Sequence, residues 1–300
     1  MSGAANPTAR SAEDVVTGSL ASRFLVTLGR PLRSFTDGDH APLGLHWCLA
    51  PEICEADDLD TDGIARSGII PTLDLPRRMW AGADVRFHRP LRIGDRVLRR
   101  SSVRDVARRS GRSGPLAFVR IGHDYAVGDE VRIEEEQTIV YREAAGDAGE
   151  PEAAPRSHGP TEPEGRVLRS VATDPLMLFR FSALTFNAHR IHFDRPYATG
   201  AEGHPDVLVH GTLTAALLLD AAASHVGQGR IVATTFRALA PAACGAPLVV
   251  TGEASGTAFA ATAFSRGRPV MSAQARLDAA ECSAKSAPAS SAHRRPRFGT

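Results

Sequence analysis

A segment that is apolar on nearly every side constrains the fold of this chain more than any other feature. In the stretch "HGTLTAALLLDAAASHVG" the apolar residues run almost without interruption from Leu213 to Val226. A helix of this kind is stable only when it is buried on all faces. Strand-like stretches of alternating apolar residues follow it. The pattern therefore predicts an antiparallel sheet that wraps around a short central helix.

The two halves of the chain resemble each other. The first half contains "VRFHRPLRIGDRVLRRSSV" from Val85, and the second contains "TTFRALAPAACGAPLVVTGEA" from Thr234. Each stretch begins with an aromatic residue at a strand start, continues through a turn with proline or glycine, and ends in an alternating apolar strand. Internal similarity of this kind indicates a duplicated unit. The sequence therefore predicts an α+β double hot-dog fold with two antiparallel sheets.

Composition sets the expected boundaries. We expect a first unit at residues 12–142, a linker at 143–165, a second unit at 166–280 and an unstructured tail at 281–300, because the linker and tail are rich in Ala, Gly, Pro, Ser and charge.

The first unit has no apolar helix like that of the second. We therefore expect its central helix to be degenerate, which leaves a cavity for a long ligand. Ser11 is a candidate N-cap for an N-terminal helix, with Asp14 in its first turn.

The overall composition excludes several classes of partner. The 300 residues include 35 basic and 34 acidic side chains, so no charge surplus favours nucleic acid or a membrane surface. No apolar run approaches the roughly 20 residues that span a bilayer, and the N-terminus does not resemble a secretory signal. The four cysteines are neither dense nor closely paired, which is typical of a reducing compartment. We expect a cytoplasmic protein whose partners are small molecules or other protein chains.

The stretch "TFNAHRIHFDRPYA" carries the polar residues most suited to chemistry. His189 and His192 stand three residues apart, Asn187 precedes them and Asp194 follows. Two histidines and a carboxylate can bind a divalent metal, but this spacing is common in proteins and does not by itself indicate one. An acid/base site and a polar helix end are the other interpretations. We favour the acid/base site and expect no metal.

Gly211 stands directly before the buried helix, in "VHGT". A glycine lets a ligand approach the backbone closely, and the first N–H groups of a helix have no partner within it. Such a helix start can bind a carbonyl oxygen or an oxyanion. We therefore expect the Gly211 amide to be an oxyanion-hole donor.

The segment "NAHRIH" resembles the motif Asp-x-Asn-Pro-(Ile/Leu)-His of MaoC-like (R)-specific enoyl-CoA hydratases and 3-hydroxyacyl-thioester dehydratases, which are double hot-dog proteins. Asn187 takes the Asp place, His189 the Asn place, Arg190 the Pro place and His192 the His place. Together with "PRRMWAGADVRF", "GRSGPLAFV" and "IVYRE", the segment is similar to the subgroup of mesaconyl-C4-CoA (3-methylfumaryl-CoA) hydratase, itaconyl-CoA hydratase and type 2 hydroxyacyl-thioester dehydratase. The resemblance extends over about residues 12–278.

The resemblance implies reversible hydration of an enoyl thioester without a metal or redox cofactor. His192 is the expected acid/base, because the usual histidine pKa lies near working pH. An amide cannot take up a proton at neutral pH, so we expect Asn187 to hold the water or the thioester oxygen. His189 is either a second acid/base or an orienting group. The family's use of a glycine amide supports Gly211 as the oxyanion donor.

Substrate contacts are expected from Arg190, Tyr197, Arg78 and Trp80. Within the resemblance, a branched C5 dicarboxylyl-CoA such as mesaconyl-C4-CoA or itaconyl-CoA is the preferred substrate, with acyl-carrier protein as another possible carrier. Three alternatives stay open: a 3-hydroxyacyl-thioester dehydratase of lipid or secondary metabolism, a thioesterase, and a non-catalytic thioester-binding subunit in which Asn187 replaces the family aspartate. A homodimer is also expected, since hot-dog sheets often pack across subunits.

Overall fold

The computed structural model describes residues 9–111, 114–143, 163 and 165–279. Almost all of the expected linker at 143–165 lies outside these ranges. The expected tail at 281–300 and the first eight residues also lie outside them. The boundaries that rest on these segments stay predictions.

The first half consists mainly of strands. Its elements are β1 (Ala9–Val15), α1 (Gly18–Thr27), β2 (Arg77–Phe87), β3 (Arg96–Gly111), β4 (Gly114–Val127) and β5 (Glu130–Arg142), with short 3-10 turns at Leu45–Cys48 and Ala56–Asp58. The end of β2 and the start of β3 coincide with the stretch that the sequence predicts from Val85, with the predicted Pro/Gly turn between them.

The second half has a similar series of strands and two longer helices. Its elements are β6 (Val167–Val171), α2 (Pro175–Thr185), α3 (Gly211–Val226), β7 (Ile231–Ala238), β8 (Leu248–Ser255), β9 (Ala258–Ser265) and β10 (Arg268–Leu277). A 3-10 turn at Arg190–His192 and a π-helical turn at Tyr197–Ala201 lie between α2 and α3. A further 3-10 turn at Gln228–Arg230 follows α3.

The sheets of the two halves join edge to edge. The order β1-β3-β4-β5-β2 of the first half continues as β7-β10-β9-β8-β6 of the second, which gives a ten-stranded antiparallel sheet. β2 and β7 form the junction, where Gly82 pairs with Arg237. A Cβ on Gly82 would lie 2.2 Å from the Phe236 carbonyl oxygen, so this close approach requires glycine. The two predicted sheets are present and continuous.

α3 is the central helix of the second half. Leu213, Leu217 and Leu218 are fully buried, and the helix contacts β7, β8, β9 and β10. The described part of the first half has no counterpart of this helix. Its sheet is covered instead by the turn at Leu45–Cys48, where the Trp47 indole donates to Glu135 on β5 at 2.8 Å. The degenerate central helix of the first half is thus confirmed.

The predicted N-terminal helix is present, but its predicted start at Ser11 is wrong. Residues Ala9–Val15 pair with the edge of β3 as a strand, and α1 begins only at Gly18, with the Thr17 side chain accepting a hydrogen bond from the Leu20 amide at 3.1 Å. Pairing with an open sheet edge satisfies more backbone groups than one extra helical turn, so tertiary contact outweighs the local capping signal.

The sequence interpretation also missed α2. This helix begins with a recognisable signal, since Asp174 caps it by accepting from the Met177 amide at 2.7 Å, and Pro175 follows directly. α2 leads into the polar segment and fixes where that segment starts.

Two whole-chain expectations concern thiols and membranes. Cys48, Cys54 and Cys244 are free thiols in the structure. Among the described residues, no helix has the length and apolar character needed to cross a membrane.

Candidate active site

The polar segment is positioned by two tight turns after α2. Phe186 ends the helix in a left-handed conformation with φ 51°, and the Asn187 amide then donates to the Ser182 carbonyl at 2.9 Å. The Asn187 side-chain oxygen accepts from the His189 amide at 2.9 Å. The 3-10 turn at Arg190–His192 follows. The three residues of the motif are therefore held close together by backbone geometry.

His192 has one ring nitrogen engaged and the other available. Its Nδ1 lies 2.8 Å from the Leu208 carbonyl oxygen, and since a carbonyl only accepts, Nδ1 carries the hydrogen in the neutral ring. The lone pair is then on Nε2, which has no hydrogen-bond partner in the described part of the chain. Burial, with a smaller contribution from His189, lowers the pKa of His192 to about 3. The ring is therefore a neutral base.

A further histidine lies against this base. The His210 ring stacks on that of His192, with centroids 3.6 Å apart and an interplanar angle of 17°. His210 Nε2 lies 2.9 Å from the Ser182 hydroxyl, while its buried Nδ1 has no partner among the described residues. Burial holds the pKa of His210 well below 6.5. The sequence interpretation missed this residue, although its place directly before Gly211, at the start of α3, was a usable signal.

Gly211 is the first residue of α3, so its amide N–H has no acceptor within the helix. A Cβ at this position would lie 2.7 Å from Cε3 of Trp80. The indole thus requires glycine here and lies beside the helix start. The structure brings Gly211, Trp80 and His192 together, as the sequence predicts.

Two cavities meet at these three residues. The first, of about 270 Å³, extends into the first half and is also lined by Arg78, Asn187, His189 and His210. The second, of about 330 Å³, is mostly apolar and is lined by Met79, Ile191, Leu208, Val209 and Met271 among others. The expected cavity beside the degenerate helix is therefore present. A thioester at the junction has room for its acyl group in one cavity and for the start of its thiol portion in the other.

Arg78 lies in the first cavity but is already paired. Its guanidinium donates to both oxygens of Asp62, at 2.8 and 2.9 Å, and the Asp62 carboxylate lies 3.9 Å from His189 Nε2. Burial, followed by the charge of Arg78, lowers the pKa of His189 to about 3. Asp62 is distant in sequence from the motif, and the sequence interpretation missed it.

The loop that carries Asp62 packs tightly on the motif. The Arg190 amide donates to the Asp62 carbonyl at 2.8 Å. A Cβ on Gly63 would lie 2.0 Å from the Ala188 carbonyl oxygen, so glycine is needed for this approach. The first half therefore holds the polar segment of the second half in place.

Arg190 and Tyr197 do not line either of the two described cavities at His192. The Arg190 guanidinium donates to Asp194 at 2.7 Å and to the Thr61 carbonyl at 2.9 Å, and it lies 4.3 Å from the centre of the Tyr197 ring. Both side chains make contacts that brace the turn, and their role in substrate binding stays a prediction. Because Asp194 faces Arg190, the arrangement does not assemble the His189, His192 and Asp194 metal set. Within the described ranges no group of three His, Cys, Asp or Glu side chains is placed to hold a metal.

The fold and site define a double hot-dog protein with a neutral base and a free helix-start amide at a cavity junction. A structure of a Mycobacterium tuberculosis protein described as having a double hot-dog fold is similar, with a TM-score of 0.52 and 16% identity, covering 91% of this chain and 96% of that chain. This similarity concerns the fold.

Residues 44–244 match the family described as hydroxyacyl-thioester dehydratase type 2. The chain is 44% identical over 230 residues to mesaconyl-C4-CoA hydratase of Chloroflexus aurantiacus, covering 76% of this chain and 80% of the relative. It is 28% identical over 196 residues to the mitochondrial hydroxyacyl-thioester dehydratase type 2 of Schizosaccharomyces pombe, covering 57% and 63%. The chain belongs to the hydroxyacyl-thioester dehydratase type 2 family and is a hydro-lyase of the hydratase/dehydratase type.

Proposed function

We propose that the protein adds water reversibly to the double bond of an enoyl-CoA, with His192 as the base and the Gly211 amide as the oxyanion donor. The observation that carries this proposal is the Nε2 lone pair of His192 beside the Gly211 amide at the junction of two cavities, where neither group has a hydrogen-bond partner among the described residues. Each cavity provides space for one side of a thioester.

The reaction follows from these two groups. The Gly211 amide donates to the thioester carbonyl oxygen, and His192 Nε2 takes a proton from water as the water oxygen bonds to Cβ. The electrons of the double bond move onto the thioester as an enolate, and Cα then takes the proton from the imidazolium. Acid/base assistance of this kind typically contributes about 10²- to 10⁴-fold in rate. Dehydration uses the same groups in reverse.

Asn187 has a supporting role in this proposal. Because its side-chain oxygen is engaged by the His189 amide, its NH₂ group is available to the first cavity and can hold the attacking water or the thioester oxygen. The reaction needs hydrogen-bond donors and one base, which the chain supplies, so we propose that it proceeds without a metal or redox cofactor.

We propose mesaconyl-C4-CoA, or the related itaconyl-CoA, as the substrate. The support is the 44% identity to mesaconyl-C4-CoA hydratase over most of both chains. The alternative is a dehydratase acting on 3-hydroxyacyl thioesters of lipid or secondary metabolism, which the family match supports. Acyl-carrier protein as carrier, and the homodimer, stay predictions.

The test is a panel of purified thioesters with the whole protein. Loss or gain of enoyl-thioester absorbance is measured with mesaconyl-C4-CoA, itaconyl-CoA, crotonyl-CoA and a longer enoyl-CoA. We expect turnover that is fastest with one of the first two. Fastest turnover of the longer substrate would favour the lipid dehydratase, release of free thiol would indicate a thioesterase, and binding without turnover would indicate a binding subunit.

A further inference from the structure

A second arginine of the first cavity, Arg99, differs from Arg78 in its partners. Arg99 lies on β3 and lines the cavity that also contains Asn187 and His192. Its Nη1 donates to the Ala50 carbonyl at 3.3 Å. Its Nη2 lies 3.2 Å from His123 Nδ1, and its buried Nε has no partner within the described residues.

Both partners of this guanidinium are neutral. The Ala50 carbonyl carries no charge, and burial holds the pKa of His123 well below 6.5. His123 Nδ1 also lies 2.7 Å from the Ser101 hydroxyl, so an unprotonated Nδ1 accepts at this point. The guanidinium of Arg99 is therefore held in place by neutral hydrogen-bond partners.

Among the described residues, other arginines form ion pairs with carboxylates, unlike Arg99. Arg78 contacts Asp62, Arg77 contacts Glu202 at 3.2 Å and Arg190 contacts Asp194. In the described part of the chain Arg99 has no carboxylate oxygen within 4.0 Å.

The two acidic residues nearest to this region have other partners. Glu52 accepts from Arg10 and from the Ile69 amide. Glu135 accepts from Trp47 and Gln137, at 2.8 and 2.9 Å, and burial raises its pKa. The charge of Arg99 partly opposes that rise in the pKa of Glu135, but among the described residues neither carboxylate lies within 4.0 Å of the Arg99 guanidinium.

We propose that Arg99 binds a carboxylate on the acyl group of the substrate, so that the site selects thioesters of dicarboxylic acids. A guanidinium fork matches the two oxygens of a carboxylate, and a poorly solvated cation without a counterion favours an anionic ligand. The inference rests on the proposed reaction, because it requires the thioester to lie at Gly211. The acyl group then enters the first cavity and the CoA arm lies in the mostly apolar second cavity.

The experiment measures binding of two saturated thioesters that cannot be hydrated. Succinyl-CoA and butyryl-CoA have four-carbon acyl chains and differ in the terminal carboxylate. We expect the wild-type protein to bind succinyl-CoA more tightly. Arg99→Met should weaken succinyl-CoA binding by roughly tenfold to a hundredfold, the usual effect of losing hydrogen bonds to a charged group, and should change butyryl-CoA binding much less. Arg99→Lys should retain part of the preference.

Arg142→Met is the matched control, since Arg142 also has a buried, unpaired Nε among the described residues but lines the second cavity. It should change the affinity of both thioesters by the same factor.

The proposal is wrong if the wild type shows no preference, if Arg99→Met weakens both ligands equally, or if only Arg142→Met removes the preference. These binding measurements are independent of turnover. A preference that depends on Arg99, together with no hydration in the enoyl-CoA panel, would contradict the proposed reaction but not the binding of a carboxylate by Arg99. Thermal melting of each variant checks that it is folded.

Discussion

At the scale of single residues, the reactivity of His192 is set by what its two ring nitrogens contact. The Leu208 carbonyl fixes the hydrogen on Nδ1, and the stacked His210 ring restricts rotation of the imidazole. Asn187, His189, His192 and Gly211 could be found from sequence because they are close to each other along the chain. Asp62 and Arg99 are recognisable only once distant segments are brought together, since their roles depend on what they contact. His210 stands directly before Gly211 and could have been noticed, although its stacking on His192 appears only in the structure.

Replacing Asn187 by Asp tests its role. The side-chain oxygen that accepts from the His189 amide is retained, and the NH₂ group becomes a second carboxylate oxygen. The new negative charge favours the imidazolium, so we expect the pKa of His192 to rise from about 3. Activity should persist, with its low-pH limb moved to higher pH. A pH profile of kcat/KM measures this shift, and an unchanged profile would contradict the placement of Asn187 beside the base.

Gly211→Ala tests the close approach of Trp80. The added Cβ would lie 2.7 Å from the indole, so either the ring or the helix start has to move. We expect kcat to fall roughly tenfold to a hundredfold, as for other small misplacements of catalytic groups. Combining it with Trp80→Leu should restore part of the activity, because the smaller side chain makes room. Full activity of the single variant would show that the Gly211 amide tolerates displacement.

At the scale of elements, regular strands could be predicted and edge elements could not. β4, β9 and β10 alternate buried and more exposed residues over part of their length, as expected for strands with one face toward the core. β1 lacks such a pattern and becomes a strand only because it pairs with β3, about 90 residues away in sequence. α2 was missed because the Asp-Pro start signal was not weighed, although it was present.

The loop that carries Asp62 couples the first half to the turn at Arg190–His192. Asp62→Ala leaves the buried guanidinium of Arg78 without its carboxylate, which usually costs about 3–5 kcal/mol. We expect a large fall in the free energy of unfolding, measured by denaturant titration. The double variant Asp62→Leu with Arg78→Met should recover much of it, because no unpaired charge remains. Equal stability of Asp62→Ala and the wild type would contradict this coupling.

At the scale of the whole molecule, the joined sheet and its buried histidines determine how stability depends on pH. Burial lowers the pKa of His46, His189 and His192 to about 3, and holds those of His123 and His210 well below 6.5. The unfolded chain binds these protons near pH 6.5, whereas the folded chain does not. The contribution of these neutral histidines to the free energy of unfolding is therefore fully present above pH 6.5. It decreases as the pH falls toward 3, by up to about 1.4 kcal/mol per histidine and pH unit.

We expect the Tm to fall steeply between pH 7 and pH 5. His46→Phe removes one of these groups at a position away from the cavity junction, so its Tm should depend less on pH than that of the wild type. Thermal melting across this pH range gives the dependence of Tm on pH for the wild type and for the variant. A Tm that does not change with pH would contradict the burial of these histidines as neutral rings.

The proposed reaction depends most directly on His192. The decisive measurement is the rate of mesaconyl-C4-CoA hydration by the wild type and by His192→Ala, followed by absorbance, with thioester binding and Tm measured in parallel. We predict that the variant remains folded and binds thioester while kcat falls by about 10²- to 10⁴-fold, the usual contribution of a general base. Wild-type turnover by a folded His192→Ala protein would contradict the assignment of the base.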